Sequence, residues 1–278
     1  MRVENASQEK FDIIIVAGQS NASGCGKGET LIPYELNDRI KMLNSPFTAK
    51  FLNVDGVQDF KITLTDYCRI DLADDRFSEG EKQASFCLSF AKKYLENNLE
   101  EDRKILLVQT AIGATSFSEH HWGENERLSN RMFEMVNAAL SMNKENRIVA
   151  VLWHQGESDI GASSQLSYEE RKDFYFSKLK KFIENLRKEY GVVPFISASF
   201  CNDWLSTVEK DRVNAILDSY KEILSIFDKT AHVWNVEDLV SNLSALKTGN
   251  DNIHFCRDSA YKLGLRYYEK YIDLVKGE

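Results

Sequence analysis

Only three prolines occur in 278 residues, and no Gly/Ser-rich or Pro-rich stretch interrupts the chain. A linker between separately folding units is therefore not expected, and residues 1–278 read as a single α/β domain with extended loops. The five cysteines, at positions 25, 68, 87, 201 and 256, are odd in number and scattered, with no CxxC pair. That excludes a disulfide framework or a cysteine zinc site and suits reduced thiols in a cytoplasmic protein. No apolar run approaches the roughly 18 residues of a membrane helix. The N-terminal MRVENASQEK is polar and lacks the apolar core of a secretory leader, so neither a membrane nor export is expected. Basic runs are missing as well. With 43 acidic against 35 basic residues and a net charge of -8, nucleic acid is not expected as a partner. No repeat of solenoid period is present, and nothing in the sequence bears on oligomeric state.

What is present is an ordinary globular composition, 43% hydrophobic and 28% charged, enough to bury a substantial core. Five short apolar runs stand out: FDIIIVA (11–17), KILLVQT (104–110), RIVAVLW (147–153), VVPFISAS (192–199) and HVWNV (232–236). They are rich in β-branched residues and run without in/out alternation, as strands covered on both faces do. Helical patterns lie between and after them, at Glu79–Asn98, Arg127–Met142, Tyr168–Tyr190, Val208–Phe227 and Asp258–Val275. This alternation predicts a three-layer α/β/α fold around a five-stranded, mostly parallel sheet. Ser23–Ser78 is less regular and reads as an active-site loop region, with a small extra strand at Arg39–Leu43.

Open parallel sheets bind ligands beyond the carboxyl ends of their strands, and polar residues gather there in this chain. Gly18-Gln19-Ser20-Asn21 follows the first run, Ile112-Gly113-Ala114-Thr115-Ser116 the second, and His154-Gln155-Gly156-Glu157-Ser158-Asp159 the third. Asp251-Asn252-Ile253-His254 precedes the final helix. Ser20 on a tight turn reads either as a nucleophile or as a helix N-cap. A Walker A loop does not fit, because Gly26-Lys27 is followed by Gly28 rather than Ser or Thr. His254 with Asp251 three residues earlier supplies a base and a carboxylate to hold its tautomer, or else an incidental surface turn. Gln155 offers an amide donor and Glu157 a second carboxylate. Trp153 reads as packing and His154 as either structural or functional. His120-His121 lacks metal-ligand spacing and reads as loop, so no metal site is expected.

GQSN, WHQGESD and DNIHF, in this order and spacing, resemble the sialate O-acetylesterase and family 6 carbohydrate esterase group of the SGNH hydrolase superfamily. The resemblance runs from Phe11 to about Tyr271. It implies a flavodoxin-like SGNH fold, Ser20 as nucleophile and His254 as base. It also implies oxyanion donors from the Ser20 N–H, Gly113 and Gln155, and it leaves the triad acid open between Asp251 and Glu157. The implied reaction is removal of acetyl groups from an O-acetylated carbohydrate, of the acetylxylan or O-acetyl sialic acid type, through an acyl-enzyme and without metal or organic cofactor. A related esterase or thioesterase on other esters and a non-catalytic carbohydrate-binding protein of the same fold are the alternatives. One departure from the family pattern is Ala114, where Gly-Gly-Thr-Ser is usual; alanine resists positive φ, which leaves the exact loop path open there but spares Gly113.

Overall fold

Every residue of Phe11–Gly18 is buried, which is what an uninterrupted apolar run requires of a strand covered on both faces. The computed structural model describes residues 1–44, 47–54, 57–162 and 165–276. In chain order the first elements are β1 (Arg2–Val3), β2 (Phe11–Gly18), α1 (Ser20–Ser23), β3 (Ile40–Asn44), β4 (Phe47–Val54), β5 (Val57–Leu64) and β6 (Tyr67–Leu72). There follow β7 (Arg76–Ser78), β8 (Glu81–Gln83), α2 (Phe86–Asn97), β9 (Lys104–Gln109), α3 (Arg127–Met142), β10 (Arg147–His154) and α4 (Glu157–Gly161). The rest are α5 (Tyr168–Tyr190), β11 (Phe195–Ala198), α6 (Asn202–Leu205), α7 (Lys210–Ile226), β12 (Thr230–Val233), α8 (Asn242–Leu246) and α9 (Arg257–Val275).

The main sheet has the order β1-β6-β3-β9-β2-β10-β11-β12. The five strands legible in the sequence form its contiguous parallel part, β9-β2-β10-β11-β12. The sheet is larger than five strands: β3 joins parallel to β9, β6 runs antiparallel to β3, and β1 adds at the edge. These extra strands are short, and exposed residues recur along β6, so they carry no continuous apolar run. Ser23–Ser78, expected as loop, is largely strand: it contributes β3 and β6 to the sheet and holds the hairpin β4–β5. Its residues 45–46 and 55–56 lie outside the described residues.

The pleat sends alternate side chains of β2 into two cores. Ile13 and Ile15 pack with α3, α5 and α7 through residues such as Met135, Leu179 and Ile216. Ile14 and Val16 pack with α2 and α9 through Phe90, Leu263 and Tyr267. Helices therefore cover both faces, the three-layer arrangement the sequence predicts. Asp12 is a fully buried carboxylate on the central strand, made tolerable by Arg103 Nε at 2.7 Å, Arg147 Nε at 2.8 Å and the Tyr94 hydroxyl at 2.7 Å. α2 begins at Phe86 rather than at Glu79, because Ser85 caps it and the preceding residues form the β7–β8 hairpin.

Candidate active site

The turn after β2 is dictated by one contact. Gly18 sits at φ 120, and a β-carbon there would lie 2.0 Å from the His154 carbonyl oxygen, so only glycine lets β2 and β10 close at this point. Gln19 then donates its N–H to that carbonyl at 2.9 Å, and Ser20 opens α1 with 8% of its surface exposed. Gly113 passes directly against it, close enough that a β-carbon on Gly113 would stand 3.4 Å from Ser20 Cβ. Among the described residues, neither the Ser20 nor the Gly113 N–H donates to a protein acceptor. Two main-chain donors at a serine side chain are the elements of an anion-stabilising pocket.

Asn21 couples this turn to His254. Its Nδ2 donates to the Ile253 carbonyl at 3.3 Å, and its Oδ1 accepts the Phe255 N–H at 3.1 Å. The residue after Ser20 thus grips the chain on both sides of His254. The imidazole Nδ1 lies 2.8 and 3.0 Å from the two Asp251 carboxylate oxygens, and the His254 N–H donates to Asp251 Oδ1 at 3.2 Å. Burial works against the Asp251 charge, but His254 and the Asn242 amide outweigh it and hold the carboxyl below its usual range. Asn242 is nearly buried and serves both partners. Its Nδ2 donates to Asp251 Oδ2 at 2.8 Å, and its N–H donates to the His254 carbonyl at 2.9 Å.

Glu157 lies elsewhere in this arrangement. It is buried at the start of α4, where Oε1 accepts Asn21 Nδ2 at 2.8 Å and lies 3.3 Å from His154 Nε2. Burial opposes its ionisation, yet His154 and Asn21 keep its carboxyl below the ordinary value. His154 itself is wholly buried among Phe86, Phe200 and Phe255. Of the two carboxylates left open by the sequence, Asp251 is the one on the His254 ring, and Glu157 braces Asn21 from below.

Gln155 is placed differently from the sequence expectation. It is fully buried, and its amide nitrogen faces Asp159 Oδ2 at 2.7 Å, the Thr115 carbonyl at 3.2 Å and Gln19 Oε1 at 3.3 Å. Three acceptors compete for its two hydrogens, while its Oε1 accepts the Tyr175 hydroxyl at 3.0 Å. Gln155 therefore ties three loops together, with Asp159 as its nearest acceptor. The Gly113 loop is held by the same clamp, by the Thr115 hydroxyl donating to Ile112 at 2.7 Å, and by Asp159 accepting the Phe117 and Ser118 N–H groups. Ala114 accordingly does take the left-handed conformation, at φ 58; surrounding bonds fix the loop path, and the strain is on the order of 1 kcal/mol. His120 lies exposed on this loop, 3.2 Å from Glu126, and His121 accepts the Ser116 N–H through Nδ1 at 3.1 Å. Among the described residues, no three of His, Cys, Asp and Glu converge as a metal set.

Asn21, Gln19 and Asn242 were not singled out in the sequence. Asn21 and Gln19 stand inside the GQSN motif beside Ser20, which is signal enough to have raised them. Asn242 lies nine residues before Asp251 in an unremarkable polar stretch, and only the fold brings it to the site.

The fold thus sets a serine on the first turn after a central parallel strand and delivers a carboxylate-held histidine just before the last helix. The profile of the carbohydrate esterase family of sialic acid-specific acetylesterases matches residues 10–273, and the chain belongs to that family. The structure superposes on that of NanS with a TM-score of 0.69 at 19% identity, covering 97% of this chain and 99% of the other. A protein of Arabidopsis thaliana gives a TM-score of 0.63 at 20% identity over 94% and 98% of the two chains. XAC1771, a carbohydrate acetylesterase of Xanthomonas citri, gives 0.57 at 13% identity, over 96% of this chain and 57% of that one. In sequence, a probable carbohydrate esterase of Arabidopsis thaliana is 25% identical over 181 residues, which span 64% of this chain and 60% of that protein.

Proposed function

We propose that this protein is a serine esterase that removes acetyl groups from O-acetylated carbohydrates, with Ser20 as nucleophile, His254 as general base and Asp251 as the residue that orients it. The observation that carries the assignment is the Asp251 carboxylate on His254 Nδ1, in a loop gripped on both sides by the residue following Ser20. A carboxylate on Nδ1 leaves Nε2 as the basic nitrogen. In the first step Ser20 Oγ bonds to the ester carbonyl carbon while His254 takes the hydroxyl proton. The Ser20 and Gly113 N–H groups stabilise the resulting oxyanion. The carbon–oxygen bond to the sugar then breaks, and His254 returns the proton to the departing sugar hydroxyl. Water, deprotonated by His254, attacks the acetyl-enzyme; acetate leaves and Ser20 regains its proton.

Membership of a carbohydrate esterase family supports the substrate class, and the carbohydrate acetylesterase XAC1771, which shares the fold, points the same way. The test is a deacetylation screen over acetylated xylan, O-acetylated sialic acids and simple acetyl sugars, with Ser20→Ala in parallel. Acetate release that falls by about 10³-fold or more in the variant is expected. Release that survives the substitution, or its absence from every sugar ester, contradicts the reading.

A further inference from the structure

A cavity of about 500 Å³ opens at the carboxyl end of β3 and β9, where the last residue of α1 and the loop after β9 reach it. Ser23, one turn after Ser20, and Ile112, the residue before Gly113, form one side of it. Met42, Leu128 and Met135 make a buried apolar interior. Phe77 and Arg76, on the β7–β8 hairpin, line its exposed rim, Phe77 with 72% of its surface open. The volume lies within the roughly 300–1,000 Å³ of small-molecule sites and far exceeds the needs of an acetyl group. As part of an esterase site it has room for a longer acyl chain or for the alcohol part of the ester.

The attachment of the hairpin decides between these. Gly26 and Ala84 exchange main-chain hydrogen bonds of 3.1 and 2.8 Å at its base. Lys27 Nζ reaches Glu79 at 2.7 Å and Glu81 at 3.3 Å. The Lys27 N–H in turn donates to Asn242 Oδ1 at 2.8 Å, and Asn242 is the residue that holds Asp251 and the His254 carbonyl. The hairpin is thus fastened to the histidine apparatus, the side on which the proposed reaction protonates its departing alcohol. The rim residues Phe77 and Arg76 also suit a sugar. A saccharide offers C–H faces to an aromatic ring and hydroxyls to a guanidinium. Among the described residues Arg76 bonds to Gln83 Oε1 at 2.8 Å and Cys25 Sγ at 3.7 Å but to no carboxylate, so donor capacity remains for a ligand.

We propose that this cavity is the saccharide subsite of the enzyme, with Phe77 stacking on the sugar ring and Arg76 hydrogen-bonding its oxygen substituents. The inference rests on the esterase reading above. Its test measures binding of an O-acetylated sialic acid and of an acetylated methyl xyloside to the full-length Ser20→Ala protein by calorimetry. Phe77→Ala and Arg76→Ala are then added singly, and Phe77→Tyr serves as the conservative control, with thermal melts confirming folding. We expect at least one sugar to bind, its Kd to rise about tenfold or more with either alanine, and Phe77→Tyr to keep the affinity. Unchanged Kd in both alanine variants, or no binding of either sugar, overturns the subsite. Failure of the esterase reading is separately visible, as turnover that survives Ser20→Ala.

Discussion

Asp251 and Glu157 are both carboxylates within one loop of Ser20, yet they meet different partners. Asp251 sits on the His254 ring, whereas Glu157 holds Asn21 and faces His154. Asp251→Asn should therefore lower kcat by on the order of 10³–10⁴-fold while the protein stays folded, because it removes the group that fixes the histidine tautomer. Glu157→Gln should cost much less in kcat and more in thermal stability, since it disturbs a buried pair. Steady-state kinetics and thermal melts of the two variants check this, and the reverse ranking of kcat would move the orienting role to Glu157. The sequence offered both residues, the local turn before His254 favouring Asp251. The local DxxH turn and the loop after β10 each lead to the same sheet edge, and only the path of the chain between them decides which carboxylate meets the ring.

At the scale of elements, the loops following β2, β9 and β10 are bound to one another through Gln155. Gln155→Ala should remove the 2.7 Å bond to the buried Asp159 carboxylate and the 3.0 Å bond from the Tyr175 hydroxyl, while Phe117, Ser118 and Tyr220 keep both groups partnered. A loss of about 1–3 kcal/mol in stability is the ordinary cost of losing buried hydrogen bonds of this kind, readable by chemical denaturation. A fall in kcat is expected to accompany it as the Gly113 loop loosens. A drop of 10²-fold or more with stability unchanged would instead show that the amide reaches the oxyanion. The apolar strands and five long helices were legible because burial on both faces forces continuous apolar runs, and amphipathic packing forces helical spacing. The edge strands β1 and β6 and the β7–β8 hairpin were not. Residues such as Arg76, Glu79 and Lys82 carry no apolar pattern, and the hairpin turn at Glu79-Gly80 closes with both residues at positive φ, 55 and 82, in place of the Asn-Gly signal that would have announced it.

For the molecule as a whole, the buried site charges tie stability to pH. Glu157 is held below its ordinary value of 4.5 by His154 and Asn21, so the unfolded chain binds that proton more readily than the folded one. Its contribution is present above the ordinary value and is lost as pH falls through the lower folded one. Tm measured between about pH 6 and pH 3 should therefore fall less steeply in Glu157→Gln than in the parent protein. Parallel curves would mean that the Glu157 carboxyl is not ionised in the folded protein.

Every step of the proposed reaction starts from Ser20 as nucleophile, set at the end of the central strand of a fold shared with carbohydrate esterases. A serine-directed fluorophosphonate, followed by peptide mass mapping, tests this most directly. One adduct is expected, on the peptide carrying Gly18-Gln19-Ser20-Asn21, with acetate release lost in proportion to labelling and no adduct in Ser20→Ala. An adduct on another serine, or full activity after stoichiometric labelling of Ser20, contradicts it.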